Sequence, residues 1–244
     1  MTERNWKEEY ENRVAWIRER VESSGVKGII FGNSGGTDSA LVGILCKAAC
    51  DNTVGVIMPC ASRRNFGQDA DDGRVLAEQY GIETRVADLT AVREQELEVL
   101  KGITELSDLA IANIAPRLRM TTLYTIAAAE GRLVAGTGNR SETYMGYFTK
   151  WGDGASDFNP IADLTATEVF AFLRYLDAPA SIVEKAPSAG LFDGQTDEQE
   201  MGVTYRAIDT YLTEGTANEK DLAVIERYHT RSEHKRRPIP TYRP

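Results

Sequence analysis

An open, doubly wound parallel sheet of about five strands, in a single α/β domain spanning residues 1–244, is the fold this sequence predicts. Three observations predict it. Short apolar runs bounded by glycine, VKGIIF (26–31) and TVGVIM (53–58), have the character of buried parallel strands. Helix-period segments lie between the strand candidates, so consecutive strands need crossover connections. A length of 244 residues also suits one α/β domain without a second.

Taken in order, the opening segment places Trp6, Tyr10, Val14, Ile17 and Val21 on one helical face, and Gly25 stops it. The first strand candidate follows, then a glycine-rich loop, then a helix from about Asp38 to Ala49. After the second strand candidate, PCASRRNFGQD (59–69) reads as a loop and DDGRVLAEQYG as a helix ending at Gly81. ETRVADL is a third strand candidate that mixes charged and apolar residues. Residues 90–106 read as a polar amphipathic helix. Residues 109–130 form the longest low-charge helical stretch, which Pro116 breaks or restarts. RLVAGTG (132–138) is a fourth strand running into a second glycine loop. The last third is mostly helical: Thr165 and Glu168 form a capping box ahead of VFAFLRYL, and DLAVIERYHTR leads into a basic tail.

Composition narrows the function classes. Lys plus Arg number 28 against 37 Asp plus Glu, a net charge of −9, which argues against nonspecific nucleic-acid binding. No run approaches the roughly 18–20 apolar residues needed to cross a bilayer, and the N-terminus is charged throughout, without an apolar signal region. Three cysteines cannot all pair within one chain, which fits a reducing cytoplasm. The two histidines, His229 and His234, both lie near the end, which excludes chemistry that needs several of them.

The string GNSGGTDSA (32–40) between a strand and a helix carries the strongest chemical signal. A Walker loop would need Lys before the Ser or Thr, and none is present. Read as G-x-S-x-G, the string matches a hydrolase elbow formally, but no histidine base or oxyanion donor loop accompanies it. The whole string, Ser-Gly-Gly-Thr-Asp-Ser, fits an anion cradle better: two glycines turn the backbone so that N–H groups face an anion, and the helix N-terminus adds positive partial charge. Asp38 would repel a phosphate there unless a divalent cation bridges the two, and Mg²⁺ is the natural choice. A plain glycine turn with Asp38 as a favourable first-turn carboxylate is the other reading.

SGGTDS resembles the pyrophosphate loop of the ATP pyrophosphatases, which split ATP to AMP and pyrophosphate while adenylating a substrate. A second block, GTGNRSETYMGYFTKWGDGASDFNPIADLT (136–165), is similar to the pattern of the ammonia-dependent NAD synthetases. KAPSAGLFDGQTDEQEMG (185–202) and EHKRRPIP (233–240) match as well, so the resemblance runs from the first helix to the tail. It implies ATP-dependent amidation of deamido-NAD to NAD with free ammonia, in a cytoplasmic homodimer whose dinucleotide lies near the subunit boundary. Carried over by position, the loop Gly32, Asn33, Ser34, Gly35, Gly36, Thr37, Asp38 and Ser39 would hold ATP, together with Thr137 and Ser188. Asp38 and Glu142 would hold Mg²⁺. Arg117, Lys150, Asp157, His234 and Lys235 would hold deamido-NAD, and Asp38, Glu142 and Lys150 would be the catalytic set. Two departures stand out: Ala166 occupies a position where family members commonly have Lys, and Asn-Ile-Ala-Pro-Arg precedes the arginine where Lys-Ala or Gln-Ala is usual. The alternatives are another adenylating amidotransferase or thiolase on the same fold, or a nucleotide-binding protein that has lost turnover.

Chemistry supports that reading. A carboxylate does not form an amide with ammonia in water until its oxygen becomes part of a good leaving group, and adenylation supplies one. The protein must align the acid oxygen with the α-phosphorus and stabilise the charge that develops. Its substrate is a polyanion. The tail from Arg227 onward, with six Lys or Arg against Glu233, is locally basic on an acidic protein. Cys46 and Cys50 read as small buried apolar residues rather than ligands. Phe148 and Trp151 suit either ring stacking or core packing, and Met120 and Tyr124 suit core or a dimer interface.

Overall fold

Strands β1 (Gly28–Gly32) and β2 (Thr53–Ile57) are buried along nearly their whole length, as continuous apolar runs require. They form the centre of the sheet in the computed structural model, which describes residues 4–60, 67–184 and 196–242. Outside them lie β3 (Glu83–Val86) and β4 (Arg132–Ala135), in the order β3-β2-β1-β4. All three pairings are parallel, with Ile30 opposite Val54 on one side and Val134 on the other.

Among the described residues four strands are present where about five were expected. Next to β4, the segment around Phe158 makes one parallel bridge with Ala135 and goes no further. The ladder stops because the Asp157 side chain takes the Val134 N–H at 2.8 Å, and Pro160 offers no donor of its own.

Alternation along β1 sends Ile29 and Phe31 to one face and Ile30 to the other, so each face has its own core. On the first face, α1 (Trp6–Ser24) and α2 (Thr37–Ala49) bury Ile17, Leu41 and Leu45 against Phe31. Asn5 caps α1, and Gly25 ends it in a left-handed conformation, as the sequence predicts. Helix α3 (Gln68–Tyr80) packs beside them and ends at left-handed Gly81; it begins at Gln68, so Asp69 belongs to the helix rather than the loop.

On the second face, α4 (Thr90–Lys101) buries no side chain. The low-charge stretch divides into α5 (Asp108–Ala112) and α6 (Ile114–Glu130), which sets Leu123 and Ala127 against Ile30 and Val134. The break falls at Asn113. Pro116 sits in the first turn of α6, where no N–H is needed, and so restarts the helix.

The C-terminal third builds a separate small core at one end of the sheet. Short α7 (Arg140–Met145) packs against α11 (Tyr205–Glu214) and α12 (Glu219–Arg231) through Met145, Ile208 and Ile225. Helix α8 (Ala166–Tyr175) joins the first core through Phe172 and Leu173, and its Thr165–Glu168 capping box is formed as expected. Between them run α9 (Ala180–Val183) and α10 (Asp197–Met201), and α13 (Glu233–Arg236) follows α12. Among the described residues, no helix is long and apolar enough to cross a membrane. The three cysteines are free, and Cys46 is buried in the first core.

Candidate active site

Crossover chirality and strand order put the β1–α2 and β4–α7 loops side by side at the carboxyl end of the sheet, the usual ligand position in an open α/β fold. They open into a cavity of about 1160 Å³ that reaches the C-terminal tail. That volume exceeds the range typical for one small ligand and suits two.

At one end lies the glycine loop. Gly35 has φ 72°, and a Cβ there would lie 2.1 Å from the Asp69 carbonyl oxygen, so only glycine fits. Buried Asn33 pins the loop from beneath by donating to the Gly73 carbonyl at 2.9 Å. Ser34 and Ser39 share a 3.0 Å hydroxyl contact. Gly36 caps α2 without a side-chain hydrogen bond, so the first-turn N–H groups border the cavity ready for an anion.

Asp38 and Glu142 converge here across about a hundred residues of sequence. Burial raises the Asp38 carboxyl to about 6; the Asp197 charge adds to this, while hydrogen bonds from Asn139 and Thr37 oppose it. Glu142 is raised well above the usual carboxylate range, first by burial and then by the Asp38 charge. No salt bridge to either carboxylate occurs among the described residues. Asp197, on α10, completes an acidic wall, accepting from the Tyr205 hydroxyl at 3.2 Å and the Tyr147 hydroxyl at 3.3 Å. Burial and these neighbouring acids push the Tyr205 phenol far up.

The other end of the cavity is basic. Lys150 donates to the His234 carbonyl at 2.8 Å. Lys235 donates to the carbonyls of Gly146 at 2.7 Å and Phe148 at 2.6 Å, with its ammonium over the Phe148 ring. Burial lowers the Lys235 ammonium, and the Asp153 charge counters this. The tail is therefore folded over the site and tied down by the cations expected to meet substrate. Gly146, at φ 65°, permits this approach, since a Cβ there would lie 2.0 Å from that of Ser232.

Of the predicted residues, the loop from Gly32 to Ser39 (Gly35 excepted), Arg117, Thr137, Glu142, Lys150, His234 and Lys235 line this one cavity. Ser188 lies outside the described residues. Asp157 does not line the cavity: its carboxylate holds the Val134 N–H and accepts from the Tyr124 hydroxyl at 3.2 Å. Trp151 is exposed at φ 61°, with Lys150 over its ring, whereas Phe148 lines the cavity. Among the lining residues to which the sequence assigns no role are Arg119, Asn139, Asp197 and Tyr205. Arg119 is half-buried two residues beyond Arg117, and its Nε donates to the Met58 carbonyl at 3.1 Å. Asn139 has a sequence signal, since Asn three residues before Glu is the pattern of a capping box, and Asp197 follows Thr196 in the same kind of pattern with Gln199.

The NAD synthase family model matches residues 9–239. The NH(3)-dependent NAD(+) synthetase of Carboxydothermus hydrogenoformans is 47% identical over 236 residues, covering 96% of each chain. Among solved structures, the NMN synthetase from Francisella tularensis superposes with a TM-score of 0.93 at 38% identity, covering 98% of this chain and 99% of that one. The NH3-dependent NAD synthetase from Campylobacter jejuni, in complex with nitrate, gives 0.79 at 27% identity, covering 99% and 100%.

Proposed function

The chain belongs to the NAD synthase family, and from that premise we propose how its residues carry the family's reaction. The reaction is the ATP-dependent amidation of deamido-NAD to NAD by ammonia, which makes the protein a ligase forming a C–N bond. ATP transfers AMP to the nicotinate carboxylate and pyrophosphate leaves. Ammonia then attacks the acyl carbon, gives up a proton, and AMP departs with the C–O electron pair.

The observation that carries this reading is a single cavity with an anion loop and two carboxylates at one end and Lys150, His234 and Lys235 at the other. The N–H groups of the glycine loop and of the α2 start hold the ATP phosphates. Asp38 and Glu142 are hard oxygen donors beside that loop, the set Mg²⁺ takes when substrate phosphates complete its shell. Bound there, Mg²⁺ would offset phosphate charge and polarise the reacting phosphoryl group. Lys150, His234, Lys235 and Arg117 converge on the substrate phosphates and hold the acid against the α-phosphorus. Deamido-NAD does not displace the tail; it replaces the carbonyl contacts of the two lysines.

The protein acts as a homodimer in the cytoplasm. Support for the dimer lies on α4 to α6, where Val92, Val99, Ile103 and Leu109 are exposed and the outer face of α6 presents Thr121, Thr125 and Ala128.

Incubation of the purified protein with deamido-NAD, ATP, Mg²⁺ and ammonium should yield NAD, AMP and pyrophosphate in equal amounts. Glutamine in place of ammonium should support far less turnover, in keeping with the NH(3)-dependent relatives that the chain resembles. One observation favours a second reading: the chain superposes more closely on the NMN synthetase than on the NAD synthetase described above. On that reading the acid is the nicotinate mononucleotide. Comparing kcat/KM for the two acids decides between them, and a higher value for the mononucleotide would displace deamido-NAD as the substrate.

A further inference from the structure

Asn139 touches both carboxylates of the acid pair. Its backbone N–H donates to Glu142 Oε2 at 3.1 Å, and its side-chain Nδ2 donates to Asp38 Oδ1 at 3.0 Å. The third contact fixes which way the amide faces: Asn139 Oδ1 accepts the Glu142 N–H at 2.9 Å, as the cap of α7. With the oxygen committed to the helix, the NH₂ group must point across to α2. The side chain is 2% exposed, so water does not compete for these bonds.

We propose that Asn139 is a positioning residue that sets the spacing and orientation of Asp38 and Glu142 for the divalent cation, an inference that rests on the Mg²⁺ assignment above. Its chemistry suits the task. A lysine or arginine here would orient the carboxylates but would also neutralise them, competing with the cation. An amide supplies direction without charge and leaves the full attraction of the pair for the metal. The two segments come from loops about a hundred residues apart, and Asn139 bonds one oxygen of each.

Serine separates this role from helix capping. It caps as well as Asn, so Asn139→Ser keeps the bond to the Glu142 N–H and loses only the donor to Asp38. Three measurements on the full chain test the idea: thermal melting, Mn²⁺ binding by electron paramagnetic resonance with a non-hydrolysable ATP analogue present, and the Mg²⁺ dependence of pyrophosphate release. The expected result is a folded protein with a modestly lower melting temperature, a Mn²⁺ dissociation constant raised at least five-fold, a matching rise in the Mg²⁺ half-saturation, and an unchanged KM for the acid substrate. Asn139→Thr, also a competent cap, should behave alike and stands in if the serine variant fails to fold. Wild-type Mn²⁺ affinity in a folded variant overturns the proposal, as does a lower melting temperature without loss of metal affinity, which marks a cap alone. Wild-type protein that neither binds Mn²⁺ nor needs Mg²⁺ overturns the metal assignment itself, and that outcome is visible before any variant is made.

Discussion

Asp38 and Glu142 are half-buried at the cavity wall with no salt bridge among the described residues, and each responds by keeping its proton more tightly. For Asp38 the sign of the consequence is fixed. A carboxyl raised from 3.8 to about 6 binds a proton better folded than unfolded. Its contribution to stability is therefore complete below about pH 4 and is lost as pH rises through 6. Asp38→Asn has no such group. In metal-free protein, Asp38→Asn should melt level with wild type near pH 4 and above it at pH 7.5. The gap should approach roughly 2–3 kcal/mol, or about 4–10 °C for a domain of this size. The same substitution, like Glu142→Gln, should abolish pyrophosphate release while the far-ultraviolet spectrum stays native. Normal turnover in either variant would remove that residue from the proposed metal site.

Helix α7 has six residues, too few to hold its place alone, and its neighbours fix it. Ser141, beside Glu142, donates to Asp209 on α11 and accepts the Ala166 N–H at 3.1 Å. The other oxygen of Asp209 accepts the Thr167 N–H at 2.8 Å. One buried carboxylate thus joins the α7 that carries Glu142 to the start of α8. Asp209→Ala should destabilise the protein by about 2–4 kcal/mol, since buried donors lose a charged partner. Calorimetry reads this directly, and a shift below about 0.5 kcal/mol would show the clamp to be dispensable. Ala166 stands where the family resemblance leads one to expect lysine. There the α8 start is held by Ser141 and Asp209, and the residue's small side chain is buried in the α7–α11 core.

At the scale of the molecule, two features depend on distant parts meeting. The tail reaches back across the sheet end, where Lys150 and Lys235 clasp it. Removal of residues from Glu233 onward should raise the KM for the acid substrate ten-fold or more, about 1.4 kcal/mol per decade. The KM for ATP should move much less, because its loop lies at the other end of the cavity. Equal weakening of both would make the tail a stability element instead. The α4–α6 face is the second feature. If the proposed dimer forms through it, Thr125→Arg should shift the sedimentation coefficient from dimer toward monomer and leave the melt of the isolated chain near wild type. An unchanged dimer would place the interface elsewhere.

The sequence by itself determined what short-range geometry controls. The glycine loop, the capping boxes of α7 and α8, and the glycine stops after α1 and α3 follow from backbone rules that act over a few residues. Buried strands announce themselves in the same way, through runs that must avoid water. Only the tertiary structure decided the rest. Asn139 reads as a cap from its spacing to Glu142, but its bond to Asp38 exists only because β1 and β4 are neighbours in the sheet. Asp197 and Tyr205 join the acidic wall because α10 and α11 fold over α7, a packing no local pattern encodes. The missing fifth strand has the same origin. Asp157 can take the Val134 N–H from the ladder only when β4 lies beside it, and side-chain competition for a backbone donor is settled by proximity in space.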